Sequence, residues 1–454
     1  MQLTPSDRRT FLGRAVQFAG AASGALALPF TVSSASEVES WLAGEGVAKL
    51  DDPRPDDVVA RDETYWSRVR ALYDLQANVI NLDHGWTNPT PRSAMEELVK
   101  SARALEALPA EQLPQQWETV STTRLRAALA STMAVPPSEI ALVRNATEAL
   151  DTVLLGFPLK PGDEIVCSSH DYYAMLDALD QRRLRDGVVL KMVRPPVPAA
   201  SMAMLESLYA EAIGERTRLV LLTHPSNLTG QYLPVRRIAD RAHAVGAQVV
   251  VDGAQSLGLL EDPVRSLGCD YYGASAHKWL GTPVGLGVLW MRPEHVTKVW
   301  PLLPPMKDEK GMARFEWIGT GPEYVNLAAV PALALHSSLG AARKARRLEY
   351  LASHLRVRLT RAVPDARFYA TAESGMTCAL TAIEFAGVAP EVLQKRLREQ
   401  HGILIQGMGQ IRSDPALRGV RVSPNVYTPV SDLDRFVSAV AEEIPRLRAG
   451  SVKR

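Results

Sequence analysis

From residue 139 onward, short apolar runs alternate with amphipathic stretches, a rhythm that predicts a parallel α/β sheet. Ile140-Ala141-Leu142-Val143 precedes a loop and a helix over 148–156. Glu164-Ile165-Val166-Cys167 precedes a helix over 173–186. Leu219 to Thr223 precedes a helix over 235–245, and Gln248 to Asp252 follows it. Gly285 to Met291 reads as a further strand, with an antiparallel direction open. Upstream, residues 92–133 carry a helical pattern at Met95, Leu98, Val99, Leu125, Ala128 and Leu129. Before them, Val79 leads into His84-Gly85-Trp86-Thr87-Asn88-Pro89-Thr90-Pro91, a loop by its glycine and prolines. Downstream, residues 331–362 read as one long helix, and a smaller α+β segment follows.

Length and composition place this pattern. A chain of 454 residues is too long for one small core. We expect four parts: a leader over 1–35, a polar surface arm with a short helix over 36–78, a large domain over 79–330 and a small domain over 331–454. With Lys+Arg 51 against Asp+Glu 50, the charge gives no case for nucleic acid or an anionic membrane. The three cysteines, Cys167, Cys269 and Cys378, form no CxxC, which argues against a disulfide framework and a thiolate metal site. Nothing after residue 36 approaches a membrane span, so no stable membrane insertion is expected.

The leader differs from the rest. Ser6-Asp7-Arg8-Arg9-Thr10-Phe11-Leu12 runs into a weakly apolar Ala/Gly stretch to Phe30, and Ser33-Ser34-Ala35 offers small residues for cleavage. This resembles a twin-arginine export signal. It implies a periplasmic or secreted protein whose first partner is the twin-arginine translocation machinery. That route exports folded proteins, which suits a protein that takes up a cytosolic cofactor before export.

The chemistry begins at Tyr272-Gly273-Ala274-Ser275-Ala276-His277-Lys278-Trp279. Lysine ordinarily sits on a solvated face. Here it interrupts an apolar stretch closed by Gly281, Gly285 and Gly287, so it points into a site. Asp252 ends an apolar strand and is followed by Gly253-Ala254-Gln255-Ser256. Strand ends of an open α/β sheet are where ligands sit. A cofactor with a pyridine nitrogen needs an acid there to keep that nitrogen protonated. Asn145-Ala146-Thr147-Glu148 stands at a strand-to-helix junction, where backbone amides and a hydroxyl bind phosphate, or where Thr147 caps its own helix. His224-Pro225-Ser226-Asn227-Leu228-Thr229-Gly230 follows another strand, and an amide such as Asn227 suits a phenolic oxygen, with Gln255 nearby.

These motifs, in this order, resemble the class V aminotransferase family of fold-type-I enzymes, which includes cysteine desulfurases and isopenicillin N epimerase. Gly319-Thr320 and Arg421-Val422-Ser423-Pro424 with Tyr427 extend the match, which covers residues 75 to 445. The resemblance implies a large domain with a mostly parallel seven-stranded sheet, a smaller α+β domain, and a homodimer with shared sites. It implies pyridoxal 5′-phosphate, carried as a Schiff base on Lys278, which also moves the α-proton. Asp252 would pair with the ring nitrogen, and Gln255 and Asn227 would lie near the phenolic oxygen. Ala146, Thr147, Ser275 and His277 would hold phosphate, with Thr320 reaching the neighbouring subunit's phosphate. Arg421, otherwise read as a surface arginine, would clamp the substrate carboxylate. Tyr172 would stack on the ring, with His170 and Tyr173 as competitors.

The pattern departs from the cysteine desulfurases at one point. Those enzymes need a nucleophilic cysteine shortly before the carboxylate-binding arginine, and His401 to Gly419 contains none. Cys378 sits in an apolar run and reads as an inert buried thiol. Desulfuration is therefore not expected. Transamination or epimerisation of an amino acid or amino-acid-bearing metabolite is expected, with a C–S or other elimination as the alternative. A non-catalytic binding protein keeping the fold would have lost Lys278 or Asp252, and both are present.

Overall fold

The structure, a computed structural model, describes residues 50–112, 122–261, 264–305, 310–371 and 375–451. The leader over 1–35 lies outside the described residues. Along the chain come α1 (Asp56–Val59), α2 (Glu63–Arg70), β1 (Ile80–Asn81), α3 (Arg92–Glu106), α4 (Thr123–Thr132) and β2 (Ile140–Val143). Then follow α5 (Ala146–Gly156), β3 (Glu164–Ser168), α6 (Tyr173–Asp186), β4 (Val189–Val193), α7 (Met202–Ala212), β5 (Thr217–Thr223), α8 (Val235–His243) and β6 (Gln248–Asp252). Next are β7 (Tyr271–Ser275), β8 (Gly287–Met291), α9 (Tyr324–Leu339), α10 (Ala341–Ala362), β9 (Arg367–Phe368) and β10 (Thr381–Glu384). Last come α11 (Pro390–His401), β11 (Ile403–Leu404), β12 (Gln406–Met408), β13 (Gly419–Val422) and α12 (Val430–Ser451).

Seven strands form one sheet in the order β2-β8-β7-β6-β5-β3-β4. Pairing is parallel from β7 through β4, and β8 runs antiparallel to both its neighbours. The near-continuous apolar runs have a direct cause. Val220, Leu222, Val249 and Val251 enter one hydrophobic cluster, whereas Leu219, Leu221 and Val250 enter another on the opposite face. Both faces are covered, so neither set of alternating residues needs to be polar. Each such side chain removed from water contributes about 1.5–3 kcal/mol.

The remaining strands make a sheet in the order β12-β13-β10-β9, all antiparallel, and β1 pairs in parallel with β11. That second pairing matters for the site. Leu82 N–H donates to Leu404 O, Ser423 N–H donates to Leu82 O, and His84 N–H donates to Ser423 O. The chain after β1 is thereby fastened to the end of β13.

Three expectations need correction. Residues 92–133 do not form one helical pattern: α3 ends at Glu106, and Pro109 disfavours helix in the residue before it. Residues 331–362 are not one helix: α9 and α10 meet at Gly340, which takes φ 81°, and the chain turns by 77° there. Among the described residues no single helix is long and apolar enough to cross a membrane. The part of the arm from Leu50 onward is not a surface feature. Leu50, Tyr65 and Trp66 are buried with Leu335, Leu339 and Leu348. Arg347, fully buried, donates to Ala60 O and Glu63 Oε1 and so ties the arm to α10.

One close approach fixes the sheet edge that carries Asp252. A Cβ on Gly253 would lie 2.1 Å from the Tyr272 ring, whose hydroxyl is 2.7 Å from Ser256 Oγ. Gly253→Ala is therefore expected to cost about 1–3 kcal/mol of stability. A lowered denaturation midpoint at unchanged m-value checks it.

Candidate active site

The C-terminal ends of the parallel strands lie at one edge of the sheet, and the loops after β3, β5, β6 and β7 each carry a residue singled out from the sequence. Asp252 is the last residue of β6 and is 3% exposed. Its Oδ1 accepts from Ala254 N–H at 2.9 Å. Burial raises its carboxyl above the usual range, against the Ala254 hydrogen bond and the nearby Lys278 charge, which both lower it. This is an acid that gains by meeting a cation.

Lys278 lies just past β7 and is half-buried. Burial pushes its ammonium down to about 8, opposed by attraction to Asp252; Arg421 lowers it further and Asp83 raises it. One amine thus feels all three charges, Asp252 the most. Its backbone is clamped as well. Asn88 Nδ2 donates to Lys278 O at 2.6 Å and Asn88 N–H donates to His277 O at 3.2 Å. Asn425 Nδ2 donates to Asn88 Oδ1. Lys344, buried on α10, donates to Trp279 O at 2.8 Å.

The phosphate-type cradle forms at the start of α5. Asn145 is the helix cap, its Oδ1 accepting from Glu148 N–H at 3.0 Å, so Thr147 is not spent as a cap. Ala146 N–H donates to Ser275 Oγ at 2.8 Å, so that amide is engaged within the protein while the Ser275 hydroxyl keeps its proton to donate. His277 Nδ1 is buried with no partner, and burial lowers its imidazole to about 4.

On the opposite side, Asn227 Oδ1 is buried without a partner. Gln255 is more engaged than expected: its Nε2 donates to Gly85 O at 2.8 Å and its Oε1 accepts from Trp279 Nε1 at 2.9 Å. One N–H remains for a ligand. Among the ring candidates, Tyr172 is partly buried and its phenol, raised chiefly by burial, also feels Asp252. His170 is turned to Asp414, with Nε2 3.4 Å from Oδ2, and Tyr173 is 59% exposed. Asp171 anchors this loop, taking Thr223 Oγ1–H at 2.8 Å and Ser168 N–H at 2.7 Å.

Arg421, 4% exposed on β13, reaches the same edge. Its Nη2 is 2.9 Å from Asp83 Oδ1 and its Nη1 donates to Asn227 O at 3.0 Å, while Nε has no partner. A Cβ at Gly85 would lie 3.1 Å from Arg421 Cζ, so glycine there leaves the guanidinium its room. Gly85 N–H donates to Ser423 Oγ at 2.9 Å, which holds loop and strand together. Thr320 is exposed, beside Gly319 at φ 84°, and no hydrogen bond joins it to the other site residues described.

Asp83, Asn425 and Lys344 carried no expectation from the sequence, and Asn88 was placed only within a loop. Asp83 and Asn425 sat in plain view inside Leu82-Asp83-His84-Gly85 and Ser423-Pro424-Asn425, but only the zipped backbone makes them partners of Arg421 and Asn88. Lys344 lies among arginines on α10 and carries no sequence signal of burial.

The set is a desolvated amine, a buried acid, amides and hydroxyls at a helix start, and an arginine with a spare N–H. It suits a ligand that joins an electrophilic carbon to a protonated ring nitrogen and a phosphate. The unpartnered Asn227 Oδ1 and His277 Nδ1 show that polar capacity is left for it.

Residues 80–436 match the aminotransferase class-V family. The chain is 28% identical over 394 residues to isopenicillin N epimerase of Streptomyces clavuligerus, covering 83% of this chain and 97% of that one. It is 32% identical over 334 residues to a probable cysteine desulfurase of Pseudomonas aeruginosa, covering 69% and 80%. Among solved structures, the apo cysteine desulfurase from Thermococcus onnurineus NA1 superposes with a TM-score of 0.74 at 23% identity, covering 83% of this chain and 98% of that one. A C-DES variant with glycine covalently linked to its PLP cofactor gives 0.74 at 23% identity, covering 82% and 99%. These likenesses show the fold.

Proposed function

This chain belongs to the aminotransferase class-V family, and on that premise we propose that it acts at the α-carbon of an amino acid or amino-acid-bearing metabolite, as an epimerase or aminotransferase. Its cofactor is pyridoxal 5′-phosphate, and the fold is that of a fold-type-I enzyme. Bound, that group withdraws electrons from a bond at the substrate's α-carbon.

The chain's own residues do the rest. Asp252 would keep the ring nitrogen protonated; Thr147, Ser275 and His277 would hold the phosphate; Asn227 would face the phenolic oxygen and Tyr172 the ring. Lys278 would hold and return the α-proton. Arg421 would take the substrate carboxylate on Nε, its free N–H, while Nη2 stays on Asp83. Burial makes that hydrogen-bonded pair stronger than it would be in water.

The observation that carries the reading is the convergence of the Asp252, Lys278 and Arg421 segments: Gln255 bonds both Gly85 O and Trp279 Nε1, and Gly85 lies against the Arg421 guanidinium. All three cysteines are buried, and burial pushes the Cys378 thiol up to about 12, far from a reactive thiolate. A second reading, elimination at a C–S bond, is favoured by the relatives named as cysteine desulfurases. Incubation with candidate amino acids in deuterated water separates the two. Exchange at the α-carbon without keto acid marks an epimerase, and keto acid with an aminated cofactor marks an aminotransferase. Release of sulfide or persulfide supports the second reading. A holoprotein that does none of these across amino acids and small peptides overturns both.

The lowered Lys278 gives a pH expectation. Only the neutral amine attacks a carbonyl. Covalent uptake of pyridoxal phosphate by the apoprotein should therefore rise with pH and level off above about 8, as followed by absorbance. Uptake still climbing toward the ordinary lysine value of 10.5 would contradict the desolvated amine.

We also propose export and a homodimer. Arg8-Arg9 and the leader around it support export, and unchanged fractionation of an Arg8→Lys/Arg9→Lys protein would rule against that signal. The exposed side chains of Trp300 and Trp317, together with an exposed Thr320, support a second copy.

A further inference from the structure

Beside the site lies a second cavity of about 320 Å³, lined by Asp83, Trp86, Thr87, Gln394, Arg398 and Ile405 among others. It touches the carboxylate clamp directly, because Asp83 lines it and also holds Arg421. Its volume admits about ten groups of water size.

The charges in its lining are Asp83 and Arg398. Asp83 is neutralised by Arg421 at 2.9 Å. Arg398 is exposed on α11, and among the described residues no carboxylate pairs with it. Gln394, one helical turn earlier, spends its Oε1 on Gly407 N–H and keeps its N–H groups to donate. Trp86, 66% exposed, supplies apolar surface beside these polar groups. The pocket is therefore a cavity of mixed polar and apolar lining with one uncompensated cation and a free amide donor.

We propose that this cavity is a distal substrate subsite and that the substrate carries a second carboxylate, joined to the α-carbon by a chain of methylene or peptide length. Arg398 and Gln394 bind that carboxylate while Trp86 covers the linker. This rests on the reading of Arg421 as the site of the first carboxylate, and the experiment separates the two.

The holoprotein is titrated by calorimetry with inert dicarboxylates from succinate to suberate and with their monomethyl esters. The wild-type protein is expected to prefer one dicarboxylate length over its ester by about tenfold. Arg398→Gln should erase the preference while leaving ester binding unchanged, and Arg346→Gln, a surface change, should leave both. Arg421→Met should weaken dicarboxylate and ester alike. If Arg421→Met leaves ester binding intact, the reading of the first carboxylate site fails. If Arg421→Met weakens binding but Arg398→Gln keeps the dicarboxylate preference, or no length is preferred, the distal subsite is overturned.

Discussion

Lys278→Ala is expected to lower turnover by about 10²–10⁴-fold, the contribution of a positioned proton-transfer group. The side chain also anchors the cofactor, so the variant should lose its chromophore on dialysis while the wild type keeps it. Stability should not fall with activity. The substitution removes a partly desolvated amine, already pushed down to about 8 by burial, and the Asn88 and Lys344 bonds go to backbone carbonyls that remain. Thermal melting within a few degrees of wild type, with partial rescue of turnover by added methylamine, would assign the loss to the amine. A variant that retains both chromophore and turnover would remove Lys278 from the account.

Asp252→Asn separates binding from folding. The amide oxygen still accepts from Ala254 N–H, so the loop stays as it is. A neutral amide cannot hold a proton on the ring nitrogen, and turnover should fall by about 10²–10³-fold. The apoprotein should move the other way. Burial raises the Asp252 carboxyl in the folded state, so folding is penalised once pH exceeds the unfolded carboxylate's value and the group must ionise. Asparagine carries no such penalty. The apo variant is expected to melt higher than wild type at pH 7, with the gap closing as pH falls below about 4. Its affinity for pyridoxal phosphate should drop, because the acid no longer meets a cation. Equal turnover, or an apo variant that melts lower at pH 7, would contradict the role given to this carboxylate.

The sequence made the sheet legible wherever a strand is buried on both faces. Val249, Val250 and Val251 announce β6, and Asp252 stands out at its end because nothing apolar explains it. Lys278 is legible for the same reason. Less visible was what depends on chain segments meeting. Asp83 and Arg421 are partners only because β1 joins β11 and the following residues zip to β13. Arg347 and Lys344 lie in a basic run on α10 that reads as a solvated face, yet both are buried and hydrogen-bonded to carbonyls. The Pro/Asp-rich stretch before residue 62 reads as a loose arm, but Tyr65 and Trp66 behind it pack into a core. In each case local composition gave the wrong surface, because the partner lies far away in the chain.

Borohydride reduction of the purified yellow holoprotein, followed by proteolysis and mass spectrometry, tests the central claim most directly. A pyridoxyl group fixed to Lys278 alone is the predicted result. No modified peptide after reconstitution with the cofactor, or a modification on another lysine such as Lys344, would contradict it.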